Sequence, residues 1–234
     1  MSLFGTAEYP GRGLAIGRDA DGVPFFAYWL TGRSTASQAR ELVVHDREVI
    51  VRDTSGGRPD DLRHYTAAIR GDDWVVVGNG TQVSELVAAH KHDQQNGSGS
   101  VSFDLQLAVR DITYEPDPPI RTPRITASAT ITGTELTDAV VASARAQSTD
   151  PDRTDHPSLY AAQLPPASAL TTTTYQGTAE DVVTNGRPAT VAVPISWSAI
   201  SDAVWSGLTP SLRVAMVTVR LDQDTFAGAV ARSR

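Results

Sequence analysis

The chain has 234 residues, 40% hydrophobic and 20% charged, a balance that suits one globular core and excludes a disordered polyelectrolyte. A net charge of −7 excludes a broad basic face for nucleic-acid phosphates. The absence of cysteine excludes disulfides, thiolate nucleophiles and thiolate metal sites.

Residues 12–18 (RGLAIGR) and 24–31 (PFFAYWLT) are apolar runs separated by Asp19-Ala20-Asp21-Gly22, and the Asp-Gly step predicts a hairpin. Residues 42–52 carry two β-branched pieces around His45-Asp46-Arg47, and 73–78 predicts another strand ending at Asn79-Gly80. From Thr81 the period changes. Val83, Leu86, Val87 and His90 fall at i, i+3, i+4 and i+7, one face of a helix capped by Asn79 or Thr81. A Gly/Ser/Asn loop follows, and Ser102 to Asp111 places Phe103, Leu105, Leu107 and Val109 in a second helix.

Residues 123–132 alternate as a strand, with a turn at Gly133, whereas 136–146 fit helix or strand equally by pattern. A polar loop spans Asp150 to Pro157, and further strands are expected at 158–164, 169–176 and 189–195. Ser196 to Leu208 reads as a helix capped by Ser196 or Ser198, 213–221 as a closing strand, and the tail from Thr225 as a fraying end. Many strands with few helices indicate an α+β fold of helices layered on antiparallel sheets, as a single domain over 1–234.

Lys91 is the only lysine among 20 basic residues, so positive charge is carried by arginine, whose planar fork suits phosphate and carboxylate. A GC-rich genome would produce such a bias without any functional cause, so each arginine must be argued by position. No run of about eighteen apolar residues occurs and no basic stretch precedes an apolar one near the start, which predicts a cytoplasmic chain without a membrane partner.

Several constellations carry little chemistry. Gly11, Gly13 and Gly17 have the spacing GxGxxxG and open a strand rather than follow one, the wrong context for a dinucleotide loop. His90 and His92 lie two apart on a helix and point to opposite sides, so they chelate poorly. Asp150, Asp152, Asp155 and His156 form a metal candidate or a solvated loop. No GxSxG elbow is present. His64 and Tyr65, as neighbours on a strand, face opposite sides, so at most one serves a given site. More informative is Thr113 to Ile125, where Glu115, Asp117, Tyr114, Arg121 and Arg124 crowd a proline-stiffened loop entering a strand.

Tyr9-Pro-Gly-Arg-Gly-Leu-Ala-Ile-Gly-Arg18, then Phe26-Ala-Tyr28 and Thr31-Gly-Arg33-Ser34, closely resembles the opening of archaeal-type IMP cyclohydrolases. Tyr65 before a strand, Gly78-Asn79-Gly80, Tyr114-Glu115, Thr122-Pro-Arg-Ile125 and the TTTYQG run from Thr172 to Gly177 recur in the same order. The likeness is dense over about the first 130 residues and patchy beyond. It implies a four-layer αββα sandwich like that of N-terminal-nucleophile hydrolases, with mostly antiparallel sheets, and makes 136–146 a strand.

The resemblance also implies an enzyme that closes the purine ring of 5-formamidoimidazole-4-carboxamide ribotide, releasing water to give IMP. Such chemistry needs acid/base groups and positive charge, without metal or cofactor. Under it Glu115 is the proton carrier, while Tyr65 and Tyr114 donate to the formyl oxygen or orient the base. Arg33 and Arg124 hold phosphate or carboxamide oxygens, Arg12 and Arg18 are further binding candidates, and Asn79 reads carboxamide or ribose. The expected partner is a small nucleotide, with homo-oligomerisation left open. A same-fold cyclodehydratase or amidohydrolase acting on another ribotide, as in nucleoside antibiotic assembly, and a non-catalytic nucleotide-binding protein are the alternatives.

Overall fold

The computed structural model describes residues 7–57, 60–95 and 109–234. Strands β1 (Arg12–Arg18) and β2 (Pro24–Thr31) form the expected hairpin. Asp19 fixes its turn: Oδ1 accepts from the Asp21 and Val23 amides at 2.9 and 2.7 Å.

A short capped helix, α1 (Thr35–Gln38), leads into β3 (Arg40–Val44) and β4 (Glu48–Asp53), paired around the predicted turn at 45–47. Next come β5 (Tyr65–Arg70), β6 (Trp74–Gly78) and helix α2 (Gln82–Gln95). Val83, Leu86, Val87 and His90 are all buried, as their spacing requires. The Asn79 side chain, however, does not cap this helix. Its Oδ1 instead accepts from the Ile125 amide and Gln82 Nε2, tying the end of β6 to the next strand. Of the second predicted helix, residues 102–108 lie outside the described residues, and Val109–Asp111 is a single 3₁₀ turn.

The second half begins with β7 (Arg124–Thr132) and β8 (Glu135–Ala146), a hairpin about Gly133 that makes 136–146 a strand, followed by β9 (Thr154–Asp155) and β10 (Ser158–Gln163). The expected strand at 169–176 is two strands, β11 (Ser168–Thr173) and β12 (Tyr175–Gly177), because the chain changes sheets at Thr174. Then come β13 (Val182–Thr184), β14 (Ala189–Ala192), helix α3 (Trp197–Gly207) and β15 (Arg213–Arg220). Ser196 occupies the N-cap of α3, but its side chain makes no capping bond; Asp19 Oδ2 accepts from the Trp197 amide at 2.6 Å instead. The tail does not fray, since β16 (Val230–Ser233) pairs with β15 and Arg232 bonds Asp202.

The fold is α+β and strand-rich, with every described ladder antiparallel. One sheet runs β14-β11-β1-β2-β15-β16 and the other β10-β8-β7-β6-β5-β4-β3, with β9 beside β8; β12 and β13 make a separate ribbon. Phe26, Tyr28 and Leu30 of β2 meet Val49, Val75, Val77 and Ile125 between the sheets, while Phe25, Ala27 and Trp29 face Ile200 and Val204 of α3. Burial on both faces explains the unbroken apolar run PFFAYWLT. A third cluster joins Trp74, Val76 and Val140 to Val83, Leu86 and Val87 of α2. Among the described residues no helix is long and apolar enough to cross a membrane.

Gly13 stands directly opposite Trp29, and a Cβ there would fall on the fully buried indole. Gly13→Ala is therefore expected to lower stability by about 2 kcal/mol, because the ring must leave its rotamer in a filled core. Urea denaturation checks this, and an unshifted midpoint would mean that the indole has room to move.

Candidate functional site

The two sheets meet at one end around a cavity of about 220 Å³. Arg12, the first residue of β1, enters from one sheet, and Glu115 enters from the loop that feeds β7 of the other. The Arg12 guanidinium donates to both carboxylate oxygens of Glu115 at 2.7 Å, a bidentate pair with 7% and 2% exposure. Asn79 buttresses the pair. Its backbone oxygen accepts from Arg12 at 3.3 Å, and its amide nitrogen donates to Glu115 at 3.5 Å and to the Pro123 oxygen at 2.9 Å.

Burial raises the Glu115 carboxyl above the ordinary carboxylate range, outweighing the downward pull of Arg12. Burial, the largest single influence, acts to lower the Arg12 guanidinium, but Glu115 together with Tyr65 and Tyr175 outweighs it and holds the group well above its ordinary value. A carboxyl shifted upward is better matched to proton transfer near neutrality than an exposed one.

Arg40, at the start of β3, supplies a second buried cation. It donates to the Ser37 oxygen at 2.8 Å and the Thr31 oxygen at 3.1 Å, and it makes no ion pair among the described residues. Burial pulls its guanidinium below the ordinary value. A buried cation held only by carbonyls still has attraction to offer an anion. The Tyr28 and Tyr65 hydroxyls share a hydrogen bond of 2.8 Å across the sheet interface, close enough to interact with both arginines.

Tyr9 and Tyr175 stack with centroids 5.5 Å apart and form one wall. The Tyr175 hydroxyl bonds Thr122 Oγ1, which in turn bonds Asp117, making a chain from the cavity into the 113–123 loop. Burial raises the Tyr9, Tyr28 and Tyr175 phenols, so all three stay protonated donors at neutral pH. An outer compartment of about 550 Å³ shares Tyr9, Ser34, Ser37 and Tyr175 with the inner cavity and adds Arg33 and Glu180.

Of the residues singled out from sequence, Arg12 and Glu115 line the inner cavity and Arg33 the outer, where it donates to the Ala179 oxygen at 3.0 Å. Tyr65 lies beneath, bonded to Tyr28. Asn79 and Arg124 stand behind Glu115, with Arg124 held by Gln82 at 2.9 Å; the Asn79 amide is committed to protein groups and has no oxygen left to read a carboxamide. Tyr114 is not brought in: as neighbour of Glu115 it faces away and donates to the Pro151 oxygen at 2.8 Å. Nor is Arg18, six residues along β1 and so about 20 Å from Arg12, where it meets Gly22 and Glu135. Among the described residues no three His, Asp or Glu converge as a metal-ligand set. His156 of the 150–157 loop bonds the Ile112 oxygen, and Asp152 pairs with Arg121.

Sequence reasoning missed Arg40, the Tyr175–Thr122–Asp117 chain and Arg63, which lines the inner cavity and pairs with Asp53 at 3.2 Å, as site groups. Tyr9, Tyr28 and Tyr175 stood within the quoted motifs, which was a signal; Arg40 had none, being one arginine among many.

A family model described as IMP cyclohydrolase-like protein matches residues 9–225. No curated protein matches the chain.

Proposed function

The chain belongs to the IMP cyclohydrolase-like family, and we propose that it closes the purine ring of 5-formamidoimidazole-4-carboxamide ribotide to give IMP and water. The observation that carries this reading is the buried Glu115 carboxyl, clamped by Arg12 at the floor of a cavity that Arg40, Arg63 and the phenols of Tyr9 and Tyr175 also line. The succession of α3, two sheets sharing a core, and α2 supports the further reading of the fold as a four-layer αββα sandwich of the N-terminal-nucleophile type.

In this mechanism the carboxamide nitrogen attacks the formyl carbon, and Glu115 accepts the proton that nitrogen loses. Tyr65, polarised by Arg12 and Arg40 and bonded to Tyr28, donates toward the formyl oxygen as it gains charge. The oxyanion takes the Tyr65 proton to become a hydroxyl, which leaves as water with the proton returned by Glu115, and the proton on the former formamide nitrogen restores Tyr65 as the ring C=N bond forms. Arg40 and Arg33 hold the phosphate at the inner and outer compartments, with the Tyr9–Tyr175 stack beside the heterocycle.

Ultraviolet absorbance of the purified protein with the formamido ribotide tests the reaction directly. Binding of the ribotide without an absorbance change would overturn it in favour of a nucleotide-binding protein. The same assay gives a pH dependence. Because the base must be ionised and burial raises its carboxyl, kcat is expected to fall with decreasing pH already above the ordinary carboxylate range. An acid limb at the value of an exposed carboxylate would remove Glu115 from that role.

A further inference from the structure

On the outer side of the 117–122 loop, two cavities of about 410 and 320 Å³ flank a second pair of arginines, Arg145 and Arg187. Neither cavity shares an arginine with the compartments described above. Arg145 lies near the end of β8, opposite Asp155 of β9. Its Nε is buried without a hydrogen-bond partner. Arg187 is delivered to the same place by the turn before it. Gly186 adopts φ 65°, which an L side chain rarely takes, and its surface lies against Pro123 and Ser143. Ser143 Oγ donates to the Gly186 oxygen at 2.5 Å, and the Gly186 amide donates to the Thr173 oxygen at 2.8 Å. The turn is thus fastened to β8 two residues before Arg145.

This arrangement opposes like charges. Burial and the neighbouring Arg187 both push the Arg145 guanidinium below its ordinary value, and Asp155 is the carboxylate that counters them. Neither arginine makes an ion pair among the described residues. Arg121 lines the larger cavity as a third cation, already paired with Asp152 at 3.1 Å, and no carboxylate lines that cavity. Asp155 lines the smaller one.

We propose that Arg145 and Arg187, with Arg121 at the rim, form a second anion-binding site that takes the phosphate group of a small phosphorylated ligand. Two guanidinium forks offer more donors than one carboxylate can accept, whereas a phosphate dianion presents three oxygens and enough charge to relieve the apposition of both. The proposal does not depend on which reaction the inner cavity performs.

Calorimetric titration of the intact protein with inorganic phosphate at low ionic strength tests it. Arg187→Gln is expected to weaken phosphate binding about tenfold, and since Arg187 is exposed its melting temperature should stay unchanged. Arg145→Gln should weaken it similarly. Asp155→Asn should act in the opposite direction and tighten binding several-fold, because it removes the carboxylate that competes with the ligand. Titration with AMP separates the sources: a gain over inorganic phosphate that Arg187→Gln abolishes supports a nucleotide ligand, and equal affinities support free phosphate. Binding that is the same in wild type, Arg187→Gln and Asp155→Asn would overturn the proposal.

Discussion

Glu115→Gln is expected to lower kcat for ring closure about a thousandfold, the scale on which a positioned proton carrier acts. Glutamine keeps the shape of the side chain and can still accept from Arg12 through one oxygen, but it cannot take the nitrogen proton or return one to the departing hydroxyl. A second effect comes with it. Arg12 is 7% exposed and its counter-charge is Glu115. Removing one member of a buried pair leaves an uncompensated charge, which costs about 3–5 kcal/mol. The variant should therefore melt well below the wild type, and kcat has to be measured at a temperature where circular dichroism shows it folded. Substrate binding should survive under those conditions, because Arg40 and Arg33 are untouched. Turnover within about threefold of wild type in the folded variant would remove Glu115 from the chemistry.

Arg40→Gln is expected to behave differently, raising KM about thirtyfold with a smaller change in kcat. A hydrogen-bonded charge on a phosphate is worth about 2 kcal/mol, which is that factor in affinity. Stability should move by less than about 1 kcal/mol, since losing the bonds to the Ser37 and Thr31 oxygens is offset by no longer burying a cation without a carboxylate partner. The contrast with Glu115→Gln separates a binding group from a proton carrier lining the same cavity. Should kcat fall while KM holds, Arg40 acts on the reacting oxygen, and the phosphate is bound elsewhere.

Much of the local structure was legible. The β1–β2 hairpin and the buried face of α2 follow from short-range signals, an Asp-Gly turn and a 3.6-residue period, and Ser196 marks the start of α3 by position although its side chain makes no capping bond. Long-range pairing was not. The break at Thr174 between β11 and β12 lies inside a run of threonines with no turn residue, and it exists because the two halves find partners in different sheets. The tail from Thr225 has a weak pattern of its own and is ordered by β15. Asp19 caps a helix that begins 178 positions away, a partner that local sequence does not indicate.

The site divides along the same line. Glu115 and Arg12 were recoverable because motif segments carry them, and the crowding of charge around a proline-rich loop marked Glu115 independently. Tyr114 illustrates the limit, since a motif names both neighbours and only the backbone decides which one turns inward. Arg18 belongs to the same segment as Arg12, yet strand rise alone removes it to the far end of the hairpin. Arg40 acquires its significance from being buried at the sheet junction without a carboxylate, a property of the assembled fold and not of the residues beside it.

The clasp between the sheets, Arg12 to Glu115 and Tyr28 to Tyr65, has a bearing on how such a protein can diverge. Its members are buried and their bonds help to hold the two halves together, so exchanging them disturbs folding before it alters selectivity. The rim is different: Arg33, Ser34, Leu62, Arg63, Asp117 and Glu180 lie outside the strands, on loops or at a helix end that can be recut without reopening the core. New ligand preferences can therefore arise by exchange of rim segments over a constant floor, with the buried clasp inherited intact.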